Sequence, residues 1–131
     1  NNLVVAVPSS GLHSNGFSLV RYILKKKRIN YKKNSQLRNW LLEPTKIYVK
    51  EISKLINLNY INGCAHITGG GITENLPRVF PNSSITAEIN LSSWDRPEIF
   101  SWLKSLGNID EDEILKTLNC GIGLIIIVDP K

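Results

Sequence analysis

The chain has 131 residues, 42% hydrophobic and 21% charged, enough for one domain with its own core and ordinary for a globular protein. No apolar run approaches the ~20 residues of a membrane helix, and no signal-peptide pattern opens the chain. Two widely separated cysteines, Cys64 and Cys120, with only two histidines, argue for free thiols in a reducing compartment and against a structural zinc site. The net charge is +5, and the excess is local: Lys25, Lys26, Lys27, Arg28, Lys32, Lys33 and Arg38 share a stretch without an acid. Such a cluster can bind nucleic acid or anionic substrates. We read it as a solvated helix end and loop, because cations suit the negative end of a helix dipole. The chain begins at Asn1 and contains no methionine, which reads as a processed chain or a fragment.

In chain order, Leu3 to Val7 is a continuous apolar run of strand length, broken by Pro8-Ser9-Ser10-Gly11. Ser14 or Asn15 can cap a helix whose apolar face is Phe17, Val20, Ile23 and Leu24. Residues 29 to 40 are polar and irregular and read as a loop. After Pro44, Thr45 can start a helix that buries Val49, Ile52, Leu55 and Ile56. Ile61 to Thr68 reads as a strand, and Ile72 to Leu76 as a short helix redirected by Pro77. Ile85, Ala87 and Ile89 alternate with polar neighbours, the pattern of a half-buried strand. Asp95 caps a helix with Ile99, Trp102, Leu103 and Leu106 on its apolar face, stopped by Gly107. Asp110 and Glu113 resemble a capping box. Gly121 to Val128 is apolar on both faces and is expected to be the central strand. The expectation is an α/β (α+β) layered domain, a mixed sheet of about four strands covered by helices.

Three segments place glycines and small polar residues where a strand meets a loop or helix: 9–16, 66–71 and 119–123. Ligands gather at strand ends in open sheets, and unpaired amides at a helix start favour an anion. Each segment alone is as readily a plain turn, and Gly11 to Gly16 is neither a Walker A loop nor a dinucleotide fingerprint. His13, among polar residues and glycines, reads as exposed; it either stabilises its loop, donates to a phosphate or transfers a proton. His66 lies in an apolar strand and reads as a core histidine, Glu74 and Asn75 as helix-surface polarity. Cys120 reads as structural, since nothing nearby lowers its pKa. Trp40, Trp94 and Trp102 read as core or loop anchors.

Together the segments are more specific. SSGLHSNGFSLVR at 9–21, LLEPTKIYVK at 41–50, GCAHITGGGITENLPRV at 63–79, SWDRPEIFSWL at 93–103 and NCGIGLIIIVDP at 119–130 occur in the order of one family. They resemble the C-terminal domain of the aminoimidazole ribonucleotide synthetases, also called phosphoribosylformylglycinamidine cyclo-ligases. The resemblance runs end to end and weakens only across 25–40, which is shorter and more charged in this chain.

It implies ATP-dependent ring closure of formylglycinamidine ribonucleotide to aminoimidazole ribonucleotide in de novo purine synthesis. ATP phosphorylates the amide oxygen, the neighbouring nitrogen attacks the activated carbon, and phosphate leaves. The resemblance makes His13 and Asn15 the expected catalytic residues. Ser14, Gly16, Thr68, Gly69, Gly70, Gly71, Glu74 and Asn75 are then expected to bind phosphate or nucleotide. No metal ligand is assigned within the chain. ATP and Mg2+ are the implied cofactors, with the metal ligands in an N-terminal ATP-binding and dimerisation domain that these residues do not include. Residues 1–131 are thus expected to form one C-terminal-type domain, incomplete at both ends and inactive alone. Its partners are the N-terminal domain, the ribonucleotide substrate and a second copy in a homodimer. The expected location is the cytoplasm, with neither membrane nor nucleic acid as partner. The rivals are relatives in the same superfamily (formylglycinamidine ribonucleotide synthetase, selenophosphate synthetase, thiamine-monophosphate kinase, a hydrogenase-maturation protein), a basic binding module, or a remnant that only oligomerises.

Overall fold

The computed structural model describes residues 2–130. Its sheet has three strands, β1 (Leu3–Pro8), β2 (Gly63–His66) and β3 (Ile122–Val128). Their order is β1-β3-β2, and β3 runs antiparallel to both neighbours. The sheet is therefore antiparallel rather than mixed, with three strands rather than about four. β3 is central, as its apolar run implies, and Ile122 to Ile126 are buried. Leu3 pairs with Val128 and Val7 with Leu124, and the register slips between Val7 and Pro8.

The strand expected at 85–89 does not form. Ala87 and Ile89 are partly buried against the cluster of Ala65, Ile67, Ile72, Leu76, Ile122 and Ile125. The alternation thus reports a segment laid over a sheet face, where it gains burial without a ladder partner.

Among the described residues six α-helices accompany the sheet: α1 (Phe17–Lys26), α2 (Ser35–Leu42), α3 (Val49–Asn57), α4 (Gly71–Asn75), α5 (Glu98–Gly107) and α6 (Glu111–Thr117). A 3-10 turn at Leu76–Val79 extends α4 through Pro77. The stretch expected as a loop at 29–40 contains α2 and a 3-10 turn at Tyr31–Lys33. The Asn34 side chain accepts from Leu37 N at 2.9 Å and so caps α2, and Leu37 is buried in the main core. That core joins Val20, Ile23 and Leu24 of α1 to Ile99, Phe100 and Leu103 of α5 and Ile114 of α6. Trp40 and Trp102 pack against it with ring centroids 6.2 Å apart.

Several helix starts differ from expectation. α1 begins after Gly16, at φ 74 with no side-chain cap, and not after Ser14 or Asn15. α3 begins four residues beyond Thr45, at Val49. α5 takes Pro97 as its N-cap in place of Asp95, while Asn108 in the left-handed region closes it. Asp110 precedes α6 but makes no side-chain cap bond. The stripe expected to bury α3 is mostly open: Val49 is 69% exposed and Ile56 53%.

Candidate functional site

The three glycine-rich segments converge on the start of β3. Asn119 to Ile122 form a tight turn closed by Ile122 N donating to Asn119 O at 2.9 Å. Cys120 (φ 52) and Gly121 (φ 98) are both left-handed, the geometry of a type I′ turn. Ser9 N donates to Gly121 O at 2.8 Å, which brings in the first segment. Ile67 N donates to Gly123 O at 2.9 Å, which brings in the second.

Two glycine helix starts pack against the same residue, Leu118, one on its side chain and one on its backbone. A Cβ on Gly16 would stand 2.1 Å from Leu118 Cδ2, and one on Gly71 would stand 1.9 Å from Leu115 O and 2.9 Å from Leu118 O. The N-termini of α1 and α4 therefore flank the C-terminal end of α6, and only bare backbone allows the approach.

The three consecutive glycines serve separate purposes. Gly71 provides this close packing at φ 57, and Gly70 is left-handed at φ 100, beside the Glu74 side chain. Gly69 has nothing within 4 Å of its Cβ position, so its bareness faces open space. Asn75, expected on a helix surface, is instead 6% exposed. Its Nδ2 donates to Gly71 O at 2.8 Å and Gly69 O at 3.2 Å, and its Oδ1 accepts from Thr68 Oγ1 at 3.2 Å. Glu74 is exposed, as expected of helix-surface polarity.

The histidines exchange their expected places. His13 is buried, 4% exposed, and left-handed at φ 57. His66 is exposed, because β2 is an edge strand and carries it on an outer face. The His13 ring lies 6.2 Å from that of Tyr48 and 6.5 Å from that of His66, and Tyr48 and His66 are 6.1 Å apart. Tyr48 donates its hydroxyl proton to Pro8 O at 2.9 Å. Gly123 underlies this triad: a Cβ there would meet Tyr48 Oη and His13 Cε1. Tyr48 lies within the LLEPTKIYVK motif, but no local pattern singles it out, because its place against His13 depends on the fold.

His13 Nε2 accepts from Ser10 N at 3.2 Å and Lys46 N at 3.4 Å. The neutral ring then carries its proton on Nδ1, which is buried without a partner. Burial, then the charges of His66 and Lys46, lower its pKa and keep it neutral. Ser14 Oγ pairs with Thr45 Oγ1 at 3.1 Å, and both line a cavity of about 460 Å³ with His13, Arg21 and Glu43. Half-buried Asn15 lies between Ser14 and the α1 start. On the far side of Tyr48, an apolar groove of about 380 Å³ is lined by Val49, Ile52, Cys64, His66 and Leu124.

The family profile described as AIR synthase related protein, C-terminal domain, matches residues 1–131. The chain belongs to this family. It is 43% identical to a phosphoribosylformylglycinamidine cyclo-ligase of Chromobacterium violaceum, covering 99% of this chain and 39% of that relative. It is 44% identical to the chloroplastic/mitochondrial cyclo-ligase of Vigna unguiculata, over 99% of this chain and 34% of that relative. It is 47% identical to a bifunctional purine biosynthetic protein of Dictyostelium discoideum, over 98% of this chain and 17% of that relative. The chain thus spans about two fifths or less of the length of these relatives.

This member of the AIR synthase C-terminal family also holds an ion cluster that its sequence did not disclose. Glu111 accepts from both Arg96 and Lys104. Those two bonds, Arg96 first, hold its carboxyl down to about 2. The cluster ties the segment before α5, and α5 itself, to the first turn of α6. Burial pushes the Cys120 thiol up to about 11, so it is an inert core group, as expected. Its Sγ lies 3.6 Å from Ile114 O. Among the described residues no group of three or more His, Cys, Asp or Glu stands together as a metal site. Among them, too, no helix is long and apolar enough to cross a membrane.

Proposed function

We propose that this chain is the C-terminal part of a phosphoribosylformylglycinamidine cyclo-ligase, which closes the imidazole ring of aminoimidazole ribonucleotide at the expense of ATP. The observation that carries the reading is the match across 99% of the chain, at 43% identity, to relatives bearing that name. The convergence of the 9–16 and 66–71 segments at one end of β3 supports it. Ring closure through a phosphorylated amide needs positioning and charge neutralisation more than a strong nucleophile. Main-chain amides at the starts of α1 and α4, with Ser14, Gly16, Thr68, Gly69 and Gly70, suit phosphate oxygens, whereas the Gly71 N–H already donates to Thr68 O at 3.0 Å. His13 and Asn15 are the catalytic candidates, His13 as a neutral donor. Asn75 shapes the second loop from beneath, and Glu74 is the exposed acid at its edge.

None of these residues is assigned to Mg2+. In this reading ATP's metal ligands belong to the part of the relatives that this chain does not cover. That part is also the proposed partner across the cleft, and the whole enzyme is a cytoplasmic homodimer. Exposed Leu3 and Val5 on edge strand β1, and Val49 and Ile56 on α3, are apolar surface suited to covering by further protein. Nucleic acid is not a proposed partner: Lys25 and Lys26 occupy the last turn of α1, where cations offset the helix dipole, and Lys32 and Lys33 follow in the 3-10 turn.

The test is steady-state conversion of formylglycinamidine ribonucleotide by the full-length protein that contains these residues. Equal amounts of ADP, phosphate and aminoimidazole ribonucleotide are expected, with turnover lost in His13→Ala and Asn15→Ala. Turnover of a different superfamily substrate instead would overturn the assignment. The isolated 131-residue chain is expected to be inactive and to self-associate. Substantial turnover by its monodisperse monomer would place the whole catalytic apparatus within it.

A further inference from the structure

Asn119 has no role in the site as described, yet it is 1% exposed and uses its full hydrogen-bonding capacity. Its Nδ2 donates to Gly11 O at 2.8 Å and Leu12 O at 3.2 Å. Its Oδ1 accepts from Gly121 N at 2.8 Å and Ser9 Oγ at 3.1 Å. One carboxamide therefore ties the turn that opens β3 to the loop that carries His13.

The Leu12 carbonyl belongs to the peptide plane whose other end is the His13 nitrogen. Holding that oxygen restrains the rotation that sets His13 φ. The restraint is needed, because a non-glycine residue in the left-handed region costs about 1–3 kcal/mol and persists only where its surroundings over-determine it. The same loop geometry delivers Ser10 N, with Lys46 N, to Nε2. We propose that Asn119 is a positioning residue that locks His13 in the Nδ1-protonated tautomer, ready to donate to an oxygen of the bound reactant. Its catalytic half rests on the role proposed for His13; the tautomer lock does not.

The groups that can act on the ring are Lys46, His66 and Tyr48, with Arg21 and Glu43 lining the adjoining cavity. None of them bonds Asn119 directly, so Asn119→Ala removes no contact of theirs.

The experiment is an imidazole nitrogen–proton correlation spectrum of the 15N-labelled chain. With two histidines the spectrum is simple, and exposed His66 is the internal control. In the wild type, His13 is expected to show a protonated Nδ1 and a bare Nε2 at neutral pH, with well-separated nitrogen shifts. In Asn119→Ala the two His13 nitrogens converge as both tautomers become populated, while the His66 pair does not move. Ser9→Ala removes only the hydroxyl that bonds Asn119 and Gly11, and a smaller shift in the same direction is expected. A folded Asn119→Ala chain with wild-type His13 shifts overturns the proposal, as does a wild-type His13 protonated on Nε2. If Asn119→Ala does not fold, an unchanged His13 pattern in folded Ser9→Ala overturns it. Wild-type turnover in His13→Ala would sink the catalytic reading while leaving the tautomer result standing.

Discussion

The Tyr48 hydroxyl lies 2.0 Å from where a Cβ on Gly123 would stand, so the central strand is bare at the one point where Tyr48 and His13 rest on it. The hydroxyl cannot swing away cheaply, since it ends a rigid ring and is bonded to Pro8 O. Gly123→Ala is therefore expected to destabilise the chain by about 1–3 kcal/mol, as for other overpacked sites. It should also displace His13. Urea unfolding reads the first effect, and the His13 imidazole shifts read the second. A variant as stable as the wild type with unmoved His13 shifts would show that the triad tolerates the methyl.

The neighbouring glycines should separate cleanly. Gly69→Ala enters open space and is expected to leave stability within about 0.5 kcal/mol. If the proposed phosphate site is right, it should also raise the KM for ATP in the full-length enzyme, because the added methyl enters the open space beside the loop. Gly71→Ala meets the Leu115 carbonyl and should cost about 2–3 kcal/mol. Gly70→Val, at φ 100, should cost more than Ile72→Val, which removes one buried methylene for about 0.5–1.5 kcal/mol. An unchanged KM in Gly69→Ala would reduce the glycine run to a turn.

Acid should destabilise the fold in two windows. His13 has its pKa lowered from 6.5, so its neutral form contributes in full above about 6.5. That contribution is lost as the pH falls from there through its lowered folded value, because the unfolded chain binds the proton first. Glu111 behaves as a depressed carboxylate. Its contribution is present above 4.5 and lost as the pH falls through about 2. Its side chain is 35% exposed, so the ion cluster should be worth only about 1 kcal/mol. Unfolding free energies measured across pH should lose the upper slope in His13→Ala and the lower one in Glu111→Gln. A flat profile between about pH 7 and 5 in the wild type would contradict a buried neutral His13.

Lys26→Glu with Lys27→Glu should leave turnover of the full-length enzyme nearly unchanged. Both lie at the C-terminal end of α1, whose 10 residues put them about 15 Å from the Gly16 start. Both are exposed, and Lys26 Nζ sits over the Tyr22 ring at 5.5 Å. A large rise in the ribonucleotide KM would move the cluster into the cleft.

Elements with strong local patterns were legible from sequence. β3 was readable as central because Gly121 to Val128 is apolar at every position but two glycines, which only a strand covered on both faces sustains. α1 and α5 were readable from their apolar faces, and Gly107 marked the end of α5. The three glycine-rich segments were visible as a set, though not their meeting point. The family, and with it the proposed chemistry, followed from the order of the motifs.

Tertiary structure decided what local pattern cannot encode. Ala87 and Ile89 alternate like a strand but lie across a sheet face, because strand formation needs a ladder partner and burial does not. α2 forms in a polar stretch because Asn34 caps it and Leu37 reaches the core. His13 is buried and His66 exposed, the reverse of what their neighbours suggest, since burial depends on what arrives from elsewhere in the chain. For His13 that is Tyr48 and the Lys46 amide; for His66 it is the edge of the sheet. Asn119 reads as an ordinary turn residue. Only the fold, by bringing the carbonyls of Gly11 and Leu12 to its amide, turns it into the clamp on the His13 loop.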